Sequence, residues 1–383
     1  MNTTRKLLSC AVILAFLFIG CATEITAPDA PVIAKGTLHI VNDAFLTSGN
    51  YYVYTPPEYD ANRAEGYPVI YMLHGFGGDE NYFVALFSAV DAADLLLANS
   101  EIEPMILVFP SASNAFGGSF YTDSPHPAVG NSQQHILDII ADVDGSYNTL
   151  ADPAKRAICG HSMGGYGALS IAMNTPNTFG SVACIAAPIT FWGTMPDADT
   201  YKGIQELMPS ILAETGYDEV LANNPVGDYA RYQELMVPSS DKRLTSMMFA
   251  MGAAFSPTDP ANPGMTSTAL GVDLPIGLDG QIDMTVWNRW LTHDPLRRLS
   301  TQYLNLVNVN LFLDAGAEDD LGLFGAHDVF AGAIQTLGLP INLTHYETYA
   351  SFLDSEGYPI KADHTVHTYE RLKVLLMWQS NQF

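Results

Sequence analysis

The sequence predicts an α/β fold, a mostly parallel central sheet with helices on both faces and one large insertion over its mouth. Three observations predict it. Pro68–Leu73, Met105–Phe109 and Ser181–Ala186 are short, unbroken apolar runs, the pattern of strands covered on both faces. Segments with helical spacing separate them, and a repeated strand–helix–strand order requires a parallel sheet. Several of the runs end in glycine-rich or acidic loops, at the sheet edge where open α/β sheets place their sites.

Gly36–Val41 and Tyr51–Tyr54 read as two early strands, the second stopped by Thr55-Pro56-Pro57. The Pro68–Leu73 strand runs into His74-Gly75-Phe76-Gly77-Gly78-Asp79. A helix fits from about Glu80 to Asn99, with Phe83, Leu86, Phe87, Val90 and Leu97 on one face. Pro110 stops the Met105–Phe109 strand. Ser111–Ser132 is a polar, glycine- and proline-rich loop, too long for a mere connector. Ile136–Val143 reads as a helix and Asn148–Pro153 as a turn. Ala157–Cys159 is a strand that enters a helix, and Ser181–Ala186 is the next strand. Thr190–Arg298, rich in Pro, Met and Asp, breaks the rhythm and reads as the insertion, with helical patches at Leu244–Ala254 and Val286–Leu291. Leu306–Leu313 resumes the sheet. Ala326–Leu337 is a helix, Asn342–Tyr349 a late strand and Thr365–Gln379 the closing helix. No internal repeat is visible, and residues 36–383 read as one elaborated domain.

The 383 residues are enough for a sizeable core, and 48% are hydrophobic against 15% charged. A formal charge of -25 argues against a nucleic-acid partner, since a polyanion would be repelled. The start of the chain reads as a targeting segment. Arg5 and Lys6 form a basic region and Leu7–Ile19 an apolar one, too short to favour a spanning helix. Leu17-Phe18-Ile19-Gly20-Cys21 resembles a bacterial lipoprotein signal. That resemblance implies cleavage after residue 20, lipidation of Cys21, a tether over residues 21–35 and a place in the cell envelope, anchored to the membrane. Phe18 stands where such signals more often carry leucine, which leaves plain secretion with cleavage near Ala22 as the alternative. Cys159 and Cys184 remain in the body of the chain, both in apolar runs. Two buried free thiols are expected, because side chains on adjacent parallel strands rarely meet disulfide geometry.

The chemistry centres on Gly160-His161-Ser162-Met163-Gly164. Gly-x-Ser-x-Gly after a strand and before a helix is a nucleophile elbow, a sharp turn that pushes the serine hydroxyl out above the sheet. A serine hydroxyl needs a histidine base, a carboxylate to orient that base, and donors for the developing oxyanion. His74-Gly75-Phe76-Gly77-Gly78 can supply one donor, the Phe76 N–H, and Met163 N–H the other. For the acid, Asp314, Glu318, Asp319 and Asp320 compete. For the base, His364 and His367 compete, with His345 a distant third. The order Ser, Asp, His is that of α/β hydrolases.

Two stretches, Tyr67–Glu80 and Cys159–Gly165, resemble the esterase D superfamily of α/β hydrolases, which includes S-formylglutathione hydrolases, feruloyl and acetylxylan esterases and mycolyltransferases. The resemblance covers Tyr51–Ala187 well and the chain from about Asn305 loosely. It implies Ser162 as nucleophile, Asp319 as acid (three residues after Gly316) and His367 as base, since His367-Thr368-Tyr369 places an aromatic two residues on. His364 stays the alternative base. The implied activity is that of a serine carboxylic-ester hydrolase with no cofactor and no metal, on a small-molecule or polysaccharide-linked ester. An acyltransferase on the same triad is the alternative, and a non-enzymatic binding module ranks behind both. Asp123, His126 and His135 match no metal template and read as solvated loop residues. Met247, Met248 and Met251 read as local core or as an acyl pocket, and Trp287 and Trp290 as core or as a ring-binding wall.

Overall fold

The computed structural model describes residues 34–42, 50–191, 204–214, 242–259, 270–277, 279–343, 349–353, 359–360 and 363–383. Cys21, the expected signal at residues 1–20, the expected tether at 21–35 up to residue 33, and His345 lie outside them.

Eight strands form the central sheet: β1 (Thr37–Asn42), β2 (Asn50–Thr55), β3 (Val69–Leu73), β4 (Ile106–Pro110), β5 (Arg156–His161), β6 (Ser181–Ile185), β7 (Asn310–Asp314) and β8 (Ile341–Leu343). Their spatial order is β1-β2-β4-β3-β5-β6-β7-β8. The β1–β2 and β2–β4 pairs are antiparallel and every other pair in the sheet is parallel. This is the α/β-hydrolase arrangement that the apolar runs predict. Every residue of β3, β4, β5 and β6 is buried, as unbroken apolar runs require. Strand order turns around at β3, which has β4 on one side and β5 on the other, and a crevice opens above such a switch point.

Helices cover both faces. One face carries α3 (Ser132–Ser146) and α4 (Met163–Asn174), whose Ile136, Ile139, Val143 and Leu169 join a core with Tyr71, Val108 and Val182. The other carries α2 (Ala89–Ala98) and the C-terminal α10 (Thr368–Ser380), with Leu96, Leu372 and Leu375 packed on Ile70, Leu107 and Ala183. The single helix expected over Glu80–Asn99 is two, α1 (Tyr82–Ala85) and α2. Ser88, between them, takes a left-handed conformation (φ 51°, ψ 44°) that a continuous helix excludes. Of the expected Asn342–Tyr349 strand, Asn342 and Leu343 belong to β8 and residues 344–348 lie outside the described ones; Tyr349–Leu353 (β9) pairs antiparallel with Pro359–Ile360 (β10). The expected start of β7 moves from Leu306 to Asn310, because Tyr303–Leu306 winds into a short 3₁₀ turn.

The insertion contributes α5 (Ile204–Ala213), α6 (Arg243–Phe255), α7 (Met284–Leu291) and α8 (Pro295–Gln302). It is welded to the core. Phe255 packs against Phe120, Tyr166, Phe191 and Trp290, and Trp290 Nε1 donates to Ser256 Oγ at 2.7 Å. Trp287 and Trp290 are both fully buried, so of the two readings of these rings the packing one holds. α9 (Leu323–Thr336) follows the acidic loop after β7. Cys159 and Cys184 are buried free thiols on adjacent strands. Cys159 stands opposite Ala183 and Cys184 opposite Gly160, so the thiols enter opposite cores.

Candidate active site

The elbow is built by the close approach of β5, α4 and the end of β3. A Cβ on Gly160 would lie 2.2 Å from the Gly164 carbonyl carbon, and one on Gly164 1.9 Å from the Leu73 oxygen, so only glycine fits either position. Ser162 between them takes φ 54°, ψ -119°, a region a non-glycine residue rarely enters. Its N–H is tied to the Ile185 carbonyl (2.7 Å), which holds the turn on β6. Ser162 stands at the N-terminal end of α4, so Met163 N–H is among the amides that α-helix geometry leaves without an intrahelical acceptor.

The loop after β3 lies alongside. The Phe76 ring and the Met163 sulfur both close on Gly118: a Cβ there would meet Met163 Sδ at 2.5 Å and Phe76 Cδ2 at 3.0 Å. The side chains of Phe76 and Met163, the two residues whose backbone N–H groups are the expected oxyanion donors, therefore both pack on Gly118. His74 anchors this loop. It donates from Nδ1 to the Gly75 carbonyl (2.8 Å) and accepts the Ala112 N–H at Nε2 (2.9 Å), while its own carbonyl accepts from Tyr121 Oη (3.0 Å). Burial lowers its pKa to about 4, so it is neutral at physiological pH.

Asp319 and His364 meet: His364 Nδ1 donates to Asp319 Oδ2 at 2.9 Å. Burial raises the Asp319 pKa, but the His364 hydrogen bond and charge, with the Leu321 N–H on Oδ1 (2.9 Å), outweigh it and hold the carboxyl below its usual range. Nδ1 as donor leaves Nε2 of a neutral His364 with a lone pair, the state a general base needs. His367, preferred from the family resemblance, does not reach Asp319. It is the N-cap of α10 in a left-handed conformation (φ 55°, ψ 35°), and its Nδ1 lies 3.7 Å from Glu370 Oε2, one turn along the helix. The ring that pairs with Asp319 comes from the loop three residues before the cap.

Of the rival acids, Asp314 ends β7 and takes Arg371 in a bidentate pair (Nε–Oδ2 2.9 Å, Nη2–Oδ1 3.0 Å), and Asp320 holds the exposed Arg243 (2.8 Å). Asp319, Asp320 and His364 bring ligand atoms within 4.8 Å of one another, but Asp319 and His364 spend theirs on each other. The Asp123, His126 and His135 group does not converge. Asp123 Oδ1 accepts the Gln133 and Gln134 amides at the start of α3, His126 Nε2 bonds the Leu270 carbonyl and His135 Nε2 the Ser111 carbonyl. His126 and His135 are buried straps between loops rather than solvated side chains, while Asp123 is exposed, as expected.

Beside Ser162 lies a cavity of about 20 Å³, lined by Phe120, Met163, Pro188, Met247, Met251, Leu321 and Leu323. Met247 and Met251 are the part of the methionine cluster that reaches the site. Met248 is buried in the core.

Sequence reasoning missed His161, Tyr82 and Arg371. His161 sits inside the elbow motif without an assigned role, Tyr82 hides in an expected amphipathic helix, and Arg371 is a lone cation on the apolar side of α10. That last oddity was the available signal, since a cation on a buried face needs a partner.

The sheet, its helices and the elbow at the end of β5 make up an α/β-hydrolase fold. Residues 45–222 match the family model described as Putative esterase. An esterase of Mycobacterium tuberculosis is 30% identical over 134 residues, 34% of this chain and 27% of that protein. An endo-1,4-beta-xylanase/feruloyl esterase of Xylanibacter ruminicola is 32% identical over 132 residues, 33% of this chain and 18% of that one. The aligned segments thus span well under half of either relative. Among solved structures, a ferulic acid esterase superposes over 92% of this chain and 100% of its own, with TM-score 0.56 at 18% identity. An S-formylglutathione hydrolase from Agrobacterium tumefaciens covers 92% and 97%, with TM-score 0.51 at 15% identity. Both are likenesses of fold.

Proposed function

We propose that the protein is a serine carboxylic-ester hydrolase. The Asp319–His364 hydrogen bond, with His364 packed on His161 of the elbow, carries the reading. His364 Nε2 takes the Ser162 hydroxyl proton as Oγ attacks the ester carbonyl carbon. The tetrahedral oxyanion is held by Phe76 and Met163 N–H. Collapse breaks the ester C–O bond, and the leaving alkoxide takes the proton back from His364 Nε2, leaving an acyl-serine. Water, deprotonated by His364, attacks the acyl carbon. The acid is released and Ser162 Oγ regains its proton. Asp319 holds the Nδ1–H tautomer throughout and stabilises the imidazolium. The relatives' printed activities support a small-molecule or polysaccharide-linked ester as substrate. The wild type is expected to hydrolyse p-nitrophenyl acetate and to be labelled by a fluorophosphonate at Ser162. An unlabelled wild type, or a Ser162→Ala variant with undiminished turnover, refutes the proposal.

We also infer export and lipidation at Cys21, supported by the order of basic residues, apolar run and Gly20-Cys21. In a bacterial host, labelled palmitate is expected in the full-length protein and not in Cys21→Ser. Incorporation into neither leaves soluble secretion as the better account.

A further inference from the structure

His161, the residue immediately before Ser162, points away from the nucleophile and into the loop that carries the base. Its Nε2 lies 2.9 Å from the backbone carbonyl of His364, and its Nδ1 2.8 Å from Tyr82 Oη. A carbonyl only accepts, so Nε2 is the protonated nitrogen and Nδ1 accepts the tyrosine hydroxyl. The tautomer is thus set by two fixed partners. The imidazole rings of His161 and His364 pack with centroids 4.8 Å apart.

The same His364 carbonyl takes a second donor. Arg371 Nη1 reaches it at 3.2 Å, while Nε and Nη2 are held by Asp314 at the end of β7. Arg371 is fully buried, and so is Asp314. Tyr82 closes the chain of contacts on the other side: a Cβ on Gly75 would lie 2.7 Å from its Oη and one on Gly78 2.6 Å from its Cδ2, so its ring is pressed onto the expected oxyanion loop. One backbone carbonyl therefore ties together the loop after β3 (through Tyr82), the elbow (through His161) and β7 (through Arg371 and Asp314).

We infer that His161, Tyr82 and Arg371 are positioning residues that clamp the His364 backbone carbonyl and so fix the base above Ser162. The inference rests on the serine-hydrolase reading above. Asp319 fixes the His364 ring at one atom and leaves it free to swing about that bond; the clamp fixes the backbone from which the ring hangs. Burial lowers the His161 pKa well below the usual histidine range, with the His364 and Arg371 charges next in effect, so His161 stays neutral and adds no charge beside an imidazolium.

The test uses the full chain with p-nitrophenyl acetate, a fluorophosphonate and a thermal melt for each variant. His161→Leu removes the donor and is expected to lower kcat about 10²-fold, the cost of a misplaced catalytic group, with KM within about twofold because the substrate's own contacts persist. His161→Gln, which keeps a side-chain N–H at similar reach, recovers most of that loss. Tyr82→Phe, which deletes one hydroxyl and fits the same space, lowers kcat about tenfold. Arg371→Lys keeps a charge for Asp314 but loses the fork, and combined with His161→Leu it costs little more than either alone, because both donors serve one carbonyl. If Arg371→Lys fails to fold, Tyr82→Phe and the His161 pair decide the matter. The clamp is overturned if wild type is active and labelled while His161→Leu and Tyr82→Phe keep kcat within about threefold, or if their losses vanish well below the melting temperature, the mark of a purely structural role. A wild type that neither turns over nor labels instead removes the serine-hydrolase reading and the clamp with it.

Discussion

Replacing Met251 with alanine tests what the cavity beside Ser162 admits. Met251 is buried on α6, one turn from Met247, and both line that cavity with Phe120, Pro188, Leu321 and Leu323. The space is about 20 Å³, little more than the 10–15 Å³ that one water needs. It therefore suits the methyl of an acetyl group, and a longer straight chain is expected to fill it less well. Met251→Ala removes everything beyond Cβ, room for about three methylenes, each worth about 0.8 kcal/mol when buried. That sets a ceiling of about 2.4 kcal/mol, or about 60-fold, on the change in preference between chains differing by that length. Imperfect filling will bring the observed shift nearer tenfold. The cost in stability is about 2 kcal/mol, the low end for a buried methionine truncation, since the side chain already borders empty space. The assay is kcat/KM for p-nitrophenyl acetate, butyrate and hexanoate. Wild type is expected to favour acetate, and Met251→Ala to raise the hexanoate-to-acetate ratio about tenfold. A wild type that favours hexanoate, or a ratio that Met251→Ala leaves within about threefold, refutes the assignment of this cavity to the acyl group.

Asp319→Asn should lower kcat by about 10⁴-fold with the fold intact, because the amide stabilises the wrong His364 tautomer; circular dichroism with steady-state kinetics checks both halves. His367→Ala should keep at least a third of wild-type kcat/KM while His364→Ala abolishes it, and equal losses would contradict the pairing seen at Asp319. The His74 pKa falls from 6.5 to about 4 on folding, so the unfolded chain binds the extra proton between those values and stability is lost as pH drops through that window. Its share is about 3 kcal/mol, and His74→Gln should make the dependence of melting temperature on pH between 6.5 and 4 shallower, with the lowered pKa values of His161, His126 and His293 keeping part of it. Burial raises the pKa of Cys159 and of Cys184, so iodoacetamide should modify neither in the native protein at pH 8, and mass spectrometry should find both alkylated only after denaturation.

The sheet was legible in the sequence because both of its faces are covered. A strand buried on both sides is largely apolar, so β3 and β4 stand out as runs of bulky apolar residues and β6 as a shorter one, while β5 shows only Ala157–Cys159 before the glycine turn. Ser162 was legible for a related reason. Its turn brings backbone atoms within 2.2 Å of where a Gly160 Cβ would stand, and that requirement is written into the sequence as glycine at fixed spacing. Which histidine pairs with Asp319 was not legible. Both His364 and His367 precede α10, and local pattern favours the one beside the aromatic Tyr369. The choice is made by Asp319, 45 residues away, and by Arg371 and His161, whose contacts with the His364 carbonyl span 7 and 203 positions. No window along the chain contains that information. The break at Ser88 was hidden for the opposite reason. Phe83, Phe87 and Val90 keep helical spacing across it, and only the backbone dihedral shows that the helix has turned.

The buried polar group at the base of the site is hard to explain as a source of stability. Asp314 and Arg371 are both shielded from solvent, and a buried ion pair recovers its desolvation cost only when the remaining donors are also satisfied. Here they are. Arg371 uses Nε and Nη2 on the carboxylate and Nη1 on the His364 and Asp363 carbonyls. An apolar pair of the same volume would hold α10 against β7 at least as firmly. It would not reach the His364 carbonyl, and of the contacts that fix His364 those with Asp319 and His161 would remain. The ion pair is therefore better understood as the rigid mount of a hydrogen-bond donor than as a brace between helix and sheet. On that account, an Asp314→Leu/Arg371→Leu double variant should melt no lower than wild type and still lose about as much kcat as His161→Leu. A double variant that melts well below wild type while retaining its kcat would make the pair a brace after all.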